Sequence, residues 1–220
     1  MTDGTDATSP YYTEEHEAFR DVVRRWVTAE IEPYATQWDG AEEFPRELYR
    51  KAADIGLLQL GYPEAYGGIE VDLFFHIIAL QEVARAGSGG ILAGLFSHTI
   101  SAPPILIGGS EELRERVLPG IIAGEKICAL GVTEPGAGSD VAALRTSARR
   151  DGDDFVLNGS KTFITSGMRA DYVTVAARTG EAGRNGISML LVETDSPGFD
   201  RTKLDKTGWW ASDMATLYFD

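Results

Sequence analysis

The sequence predicts an α+β protein: an all-helical N-terminal domain followed by a β-domain. Up to about residue 125, apolar residues recur at helical spacing. After Gly124 the period shortens to two, and Gly, Asn and Asp pairs punctuate the apolar runs. Helices followed by a run of strands, without alternation between them, indicate segregated layers rather than a βαβ sheet. The expected division is a disordered N-terminus at 1–10, helices over 11–125 and strands over 126–220.

Thr13 is expected to cap the first helix, with Glu14 and Glu15 in the turn where the helix dipole favours anions. Phe19, Val22, Val23, Trp26 and Val27 then make one apolar stripe. Pro45 opens the next helix, Leu48, Ala52 and Ile55 face inward, and Gly56 ends it. A third is predicted over 72–86, with Asp72 as cap and Gly87 as stop. A fourth runs over 90–101 and ends before Pro103-Pro104. Ser110 caps a fifth, which carries Leu113 and Val117 and closes near Pro119-Gly120.

Strands are predicted at 142–149, 155–157, 161–165, 172–177, 187–193 and 215–219. Asp151-Gly152, Asn158-Gly159 and the 180–186 segment supply turns. Asn-Gly is the strongest short hairpin signal, so 155–157 is expected to fold back into 161–165 there.

A chain of 220 residues, 43% hydrophobic and 25% charged, can build a packed core of ordinary soluble composition. Its 20 basic and 34 acidic side chains leave a net charge of −14, which disfavours nucleic acid and anionic membrane surfaces. A single cysteine, Cys128 in an apolar run, forms no internal disulfide; it is expected to be buried, in a reducing compartment. The first ten residues lack the basic and apolar regions of a secretory signal, and no apolar stretch is long enough for a bilayer. A soluble, cytoplasmic protein is the expectation.

The chemistry concentrates in two segments. Residues 133–140, Thr-Glu-Pro-Gly-Ala-Gly-Ser-Asp, are too rich in Gly and Pro for a helix or central strand. They read as a tight loop after the apolar run 127–132, with main-chain N–H groups free to bind. In Lys161-Thr162-Phe163-Ile164-Thr165, alternation points the Phe163 ring and the Thr165 hydroxyl the same way. A donor-rich loop beside an aromatic and a hydroxyl suits a flat, polar-edged ring such as a flavin. Val141 stands where a dinucleotide fingerprint needs its third glycine, and no Gly-Lys-Ser/Thr follows for a Walker loop. His16, His76 and His98 are scattered, so no metal site is expected. No Gly-x-Ser-x-Gly elbow supports a serine nucleophile. Trp209-Trp210 reads by default as core or interface packing.

With Glu64-Ala65-Tyr66-Gly67-Gly68, Gly108-Gly109-Ser110-Glu111-Glu112 and Gly208-Trp209-Trp210-Ala211-Ser212-Asp213 in order and spacing, the chain resembles the acyl-CoA dehydrogenase family from about residue 12 to 220. The resemblance implies an antiparallel β-domain and FAD as cofactor. Leu130, Val132 and Thr133 would contact the flavin, and Ser139 would lie near its tail and the acyl-CoA ligand. Phe163, where relatives often carry Trp, would pack on the isoalloxazine beside Ile164, and Thr165 would hydrogen-bond near the reactive nitrogen. Leu92, Ala93 and Phe96 would line the deep end of the acyl pocket, although Phe96 could equally pack into the helical core.

The implied reaction is α,β-dehydrogenation of an acyl-CoA thioester: a base takes the α-proton and the β-hydrogen leaves as hydride. The implied setting is fatty acid metabolism, with electron-transfer flavoprotein or a similar acceptor as partner and self-assembly into a tetramer or dimer. Family members continue into a third, all-helical domain that carries the glutamate base. No carboxylate here matches it, so the chain is expected to be a fragment that is inactive alone. An acyl-CoA oxidase or monooxygenase on the same scaffold, or a non-catalytic truncated subunit, is the alternative.

Overall fold

The computed structural model describes residues 10–220, so the expectation of a disordered stretch at 1–10 lies, but for Pro10, outside the described residues. Helices precede strands, as predicted. They are α1 (Glu14–Glu30), α2 (Ala35–Ala41), α3 (Glu47–Asp54), α4 (Leu73–Ala84), α5 (Gly89–Leu95), α6 (His98–Ser101), α7 (Pro103–Gly108) and α8 (Glu111–Ile122). The strands are β1 (Cys128–Gly131), β2 (Ser147–Asp151), β3 (Asp154–Thr165), β4 (Tyr172–Arg178), β5 (Ile187–Glu193), β6 (Phe199–Lys203) and β7 (Met214–Phe219).

Cap chemistry sets several helix starts. Thr13 Oγ1 accepts from His16 N at 3.3 Å while His16 Nδ1 accepts from Thr13 N at 3.0 Å, closing a reciprocal cap. Asp72 Oδ1 accepts from Phe74 N at 2.8 Å, and Ser110 Oγ from Leu113 N at 3.3 Å. On α1, Val23, Trp26 and Val27 are buried and Phe19 packs against them, while Val22 stays at the surface. They join Leu48, Ala52, Ala79, Val83, Ile91 and Leu95 in one core.

Four helical expectations need correction. Helix α2 was not foreseen; it is seven residues long, has no side-chain cap, and buries only Ala35, so it leaves no periodic signal. The predicted fourth helix breaks at Phe96-Ser97 into α5 and α6, and the chain bends by 42° there. Pro103-Pro104 opens α7 instead of merely ending a helix, since a first-turn proline gives up no bonded N–H. Helix α8 runs through Pro119, which removes one i→i−4 bond; burial of Val117, Leu118, Ile121 and Ile122 holds the last turn in place.

The strands form one sheet in the order β1-β4-β2-β3-β7-β6, with β5 also on β4. Pairs β2–β3, β3–β7, β6–β7 and β4–β5 are antiparallel. Two parallel pairings meet at β4, with β1 along four residues and with β2 at Ser147–Arg178. Residues 142–149 are not one strand: a 3-10 turn over Val141–Ala143 precedes β2.

The Asn158-Gly159 hairpin is absent. The chain turns instead at Gly152-Asp153, where Asp151 pairs with Asp154 and Gly152 has φ 66°. Strand β3 then runs straight through Asn158-Gly159 and changes partner there, from Ser147 of β2 to Phe219 of β7. Gly159 is required for a close approach: a Cβ would lie 2.7 Å from Thr146 Cα. Edge strand β6 was also missed, because Phe-Asp-Arg-Thr-Lys offers one apolar residue and pairs only with β7.

The two halves are bonded together. Ser101 Oγ donates to Cys128 O at 2.9 Å and Thr174 Oγ1 to Ser101 O at 2.7 Å. Arg169 donates to Phe44 O at 3.0 Å, its guanidinium 4.6 Å from the Phe44 ring centre. Cys128 is buried and unpaired, as the sequence indicated. No single helix among the described residues is long and apolar enough to cross a membrane.

Candidate functional site

The structure brings the two sequence segments together. Strand β1 delivers the chain to Thr133, and Thr162 of β3 donates its N–H to the Thr133 carbonyl at 2.8 Å. One residue earlier, Lys161 Nζ donates to Val132 O at 3.1 Å and to Glu134 Oε1 at 2.7 Å. The Glu134 carboxylate also accepts from Arg145 N at 2.6 Å and Thr146 N at 2.9 Å, so one side chain closes the loop 133–146 at its base. Within that loop, Glu134 and Ala137 exchange main-chain bonds of 2.8 and 3.1 Å around Pro135-Gly136. At Gly136 and Gly138 an added Cβ would meet open space.

The pair is buried, with Lys161 at 0% exposure. Burial alone would raise the Glu134 pKa; hydrogen bonds from Lys161, Thr146 and Arg145 outweigh it and hold the carboxyl at about 2. Burial pulls Lys161 below the ordinary lysine value, and Glu134 beside it opposes that pull. The Glu134 carboxyl is therefore ionised at neutral pH.

Strand β3 shifts register against β7 between Lys161 and Ile164, and Phe163 occupies that bulge at φ 59°. A bulky aromatic at positive φ is held there against its backbone preference, and bulges re-aim side chains beside sites. The Phe163 ring is 64% exposed, whereas Ile164 enters the core. Thr165 is half-buried and pairs with Met214. Phe163 and Thr165 thus flank the buried Ile164, and the bulge interrupts the regular alternation of β3 at Phe163. The following turn is anchored by Asp213, whose carboxylate accepts from Met168 N at 2.6 Å and Arg169 Nε at 2.7 Å.

Among the other predicted residues, Leu130, Val132 and Thr133 are half-buried and Ser139 is exposed on the loop. Leu92 and Ala93 are half-buried on α5. Phe96 closes that helix with its ring in the helical core, 6.2 Å from the His98 ring. Helix α5 packs on the segment that leads to Asp213: a Cβ at Gly90 would lie 2.8 Å from Ser212 N, and one at Gly89 would strike the Trp209 indole. The Trp209 and Trp210 rings lie at the surface rather than in the core, Trp209 at φ 54°. His98 is buried, donates to Leu58 O at 3.1 Å, and is pushed down to about 4 by that burial.

Sequence reasoning passed over the Glu134–Lys161 pair and the Asp213 anchor. Each stands inside a segment singled out for another reason, but nothing in that segment points to its distant partner. Two clefts lie elsewhere. One of about 870 Å³ is lined by Ile100, Pro104, Ile107 and Met189, and one of about 590 Å³ by Phe155, Leu191 and Phe199. Where the 133–146 loop meets β3, Phe163 is exposed and Thr133 and Thr165 are half-buried.

The model for "Acyl-CoA dehydrogenase, N-terminal domain" matches residues 13–125, and that for "Acyl-CoA dehydrogenase, middle domain" matches residues 129–220. The chain belongs to the acyl-CoA dehydrogenase family.

Among acyl-CoA dehydrogenases, the long-chain specific mitochondrial enzyme of Sus scrofa is 41% identical over 213 residues, 95% of this chain and 49% of that protein. A probable acyl-CoA dehydrogenase from Mycobacterium abscessus is 47% identical, with TM-score 0.92 over 94% of this chain and 56% of that one. A glutaryl-CoA dehydrogenase from Mycobacterium smegmatis, solved in complex with FADH2, is 31% identical with TM-score 0.84, covering 95% of this chain and 53% of that one. The chain spans about half the length of the curated relatives it matches.

Proposed function

We propose that this chain supplies an FAD-binding face, together with part of the acyl-CoA site, to an enzyme that dehydrogenates acyl-CoA thioesters between the α and β carbons. The observation that carries the reading is the Thr162–Thr133 bond, which seats the glycine loop beside Phe163 and Thr165. FAD held there would supply a hydride acceptor for the β-hydrogen of the thioester.

The protein's own residues have distinct tasks in this reading. Thr133 and the main chain of Leu130 and Val132 present hydrogen-bonding groups to the ring's polar edge, where negative charge accumulates on reduction. Thr165 adds a hydroxyl near the reacting nitrogen, and the exposed Phe163 ring covers an apolar face and excludes water. Ile164 points into the core, so its share is main-chain contact. Ser139, exposed at the loop's end, faces the region of the flavin tail and the thioester. Leu92, Ala93 and Phe96 bound the acyl tail. Proton abstraction falls to a residue outside this chain.

Residues 11–125 and 126–220 serve as two domains of that enzyme. Electron-transfer flavoprotein or a similar acceptor, self-association as a tetramer or dimer, and a cytoplasmic place in fatty acid metabolism complete the reading. The test is anaerobic addition of a panel of acyl-CoAs to the FAD-loaded holoprotein. Bleaching of the flavin with formation of the enoyl-CoA is expected. Oxygen consumption with hydrogen peroxide release in place of electron passage to an acceptor would instead make it an oxidase.

A further inference from the structure

Glu134 and Lys161 take no part in the chemistry just described, yet they form a buried ion pair beside it. We infer that this pair is a positioning device, fixing the register of the 133–146 loop against β3 so that Thr133, Phe163 and Thr165 face one ligand together. The inference rests on the reading that FAD occupies that face.

The strand ladder cannot set this register alone. Lys161 pairs with Leu217 and Ile164 with Ala215, but the shift between them leaves Phe163 outside the regular ladder. Lys161 is two residues before Phe163, and Glu134 adjoins Thr133, so a slip at the pair moves both halves of the face. Lys161 ties β3 to Val132 and Glu134, and Glu134 ties the near end of the loop to its far end at Arg145 and Thr146. Stability does not explain such a pair, because desolvation offsets most of its attraction and an apolar pair of similar volume commonly does as well. Fixing one arrangement among several is the better-attested use of buried polar groups.

The experiment compares the FAD-loaded holoprotein with Lys161→Met, Glu134→Gln and the double variant. A wild-type protein that holds no FAD overturns the flavin reading and this inference with it. If wild type holds FAD, each single variant is expected to melt well below it, since each leaves a buried group unpaired. The double variant should recover the part of that loss due to the unpaired charge, although the amide introduced by Glu134→Gln sets an NH2 against a main-chain donor. It should bind FAD on the order of tenfold more weakly. Its visible flavin bands should shift and its midpoint potential should fall, because misplaced donors no longer favour charge on the reduced ring. Wild-type affinity, spectrum and potential in the double variant would overturn the inference, leaving the pair a purely folding role. Glu134→Asp keeps the charge and shortens the reach, so it reads the same point independently. Shifted bands and a lower potential support positioning, and unchanged ones refute it.

Discussion

The main-chain N–H of Thr162 donates to the Thr133 carbonyl at 2.8 Å, joining the glycine loop to the strand that carries Phe163 and Thr165. Beneath that bond, Lys161 and Glu134 add a buried charge pair. Glu134 sits at about 2 against an ordinary 4.5. A depressed carboxylate contributes stability that is present above its unfolded value and is lost as pH falls through the folded one. Stability should therefore decline from about pH 4.5 toward 2, and Glu134→Gln should flatten that part of the slope. Denaturant midpoints of the two proteins across that range check this.

His98 gives a second pH dependence in a different window. Burial holds it at about 4 against an ordinary 6.5, so between those values the unfolded chain binds a proton that the folded chain does not. The contribution of His98 should be full above pH 6.5, decline as pH falls toward 4, and level below. The loss attached to this group is on the order of 3 kcal/mol. A His98→Asn variant compared with wild type from pH 7 to 4 should lack that component.

Gly159 should not tolerate a side chain. Its φ is 143° and a Cβ would press on Thr146 Cα at 2.7 Å. Gly159→Ala is expected to destabilise by about 2 kcal/mol or more, read as a lower denaturant midpoint with unchanged slope. The equivalent change at Gly152, which has φ 66° but open space around it, should cost less.

Phe96 joins stability to substrate length. It is buried in the helical core, and α5 ends at its position. Phe96→Ala should cost about 3 kcal/mol of stability from the cavity it leaves. If the ring also closes the acyl pocket, activity of the holoprotein should move toward longer acyl-CoAs. A chain-length profile unchanged by the substitution would restrict Phe96 to the core.

What could be read from sequence was what depends on neighbours along the chain. The caps at Thr13, Asp72 and Ser110 were legible because the bonded partners lie two or three residues away. The break after Leu95 was not, because the packing is distant: a Cβ at Gly94 would press on the Phe44 ring at 2.7 Å. Asn158-Gly159 misled because the freedom of Gly159 serves an approach to Thr146, not a turn. At the site, the two segments were legible as motifs. The parts played by Glu134 and Asp213 were not, since their side-chain partners stand 27 and 44 residues away and the sequence carries no spacing rule that links them.

The central claim is that one face holds the flavin through Thr133 and Thr165. FAD affinity of the holoprotein, measured by titration for wild type and for Thr133→Val/Thr165→Val, tests it most directly. Valine keeps the shape and removes both hydroxyls, so the dissociation constant should rise on the order of tenfold to a hundredfold at an unchanged melting temperature of the flavin-free protein. A dissociation constant equal to that of wild type would contradict the claim and place the flavin elsewhere.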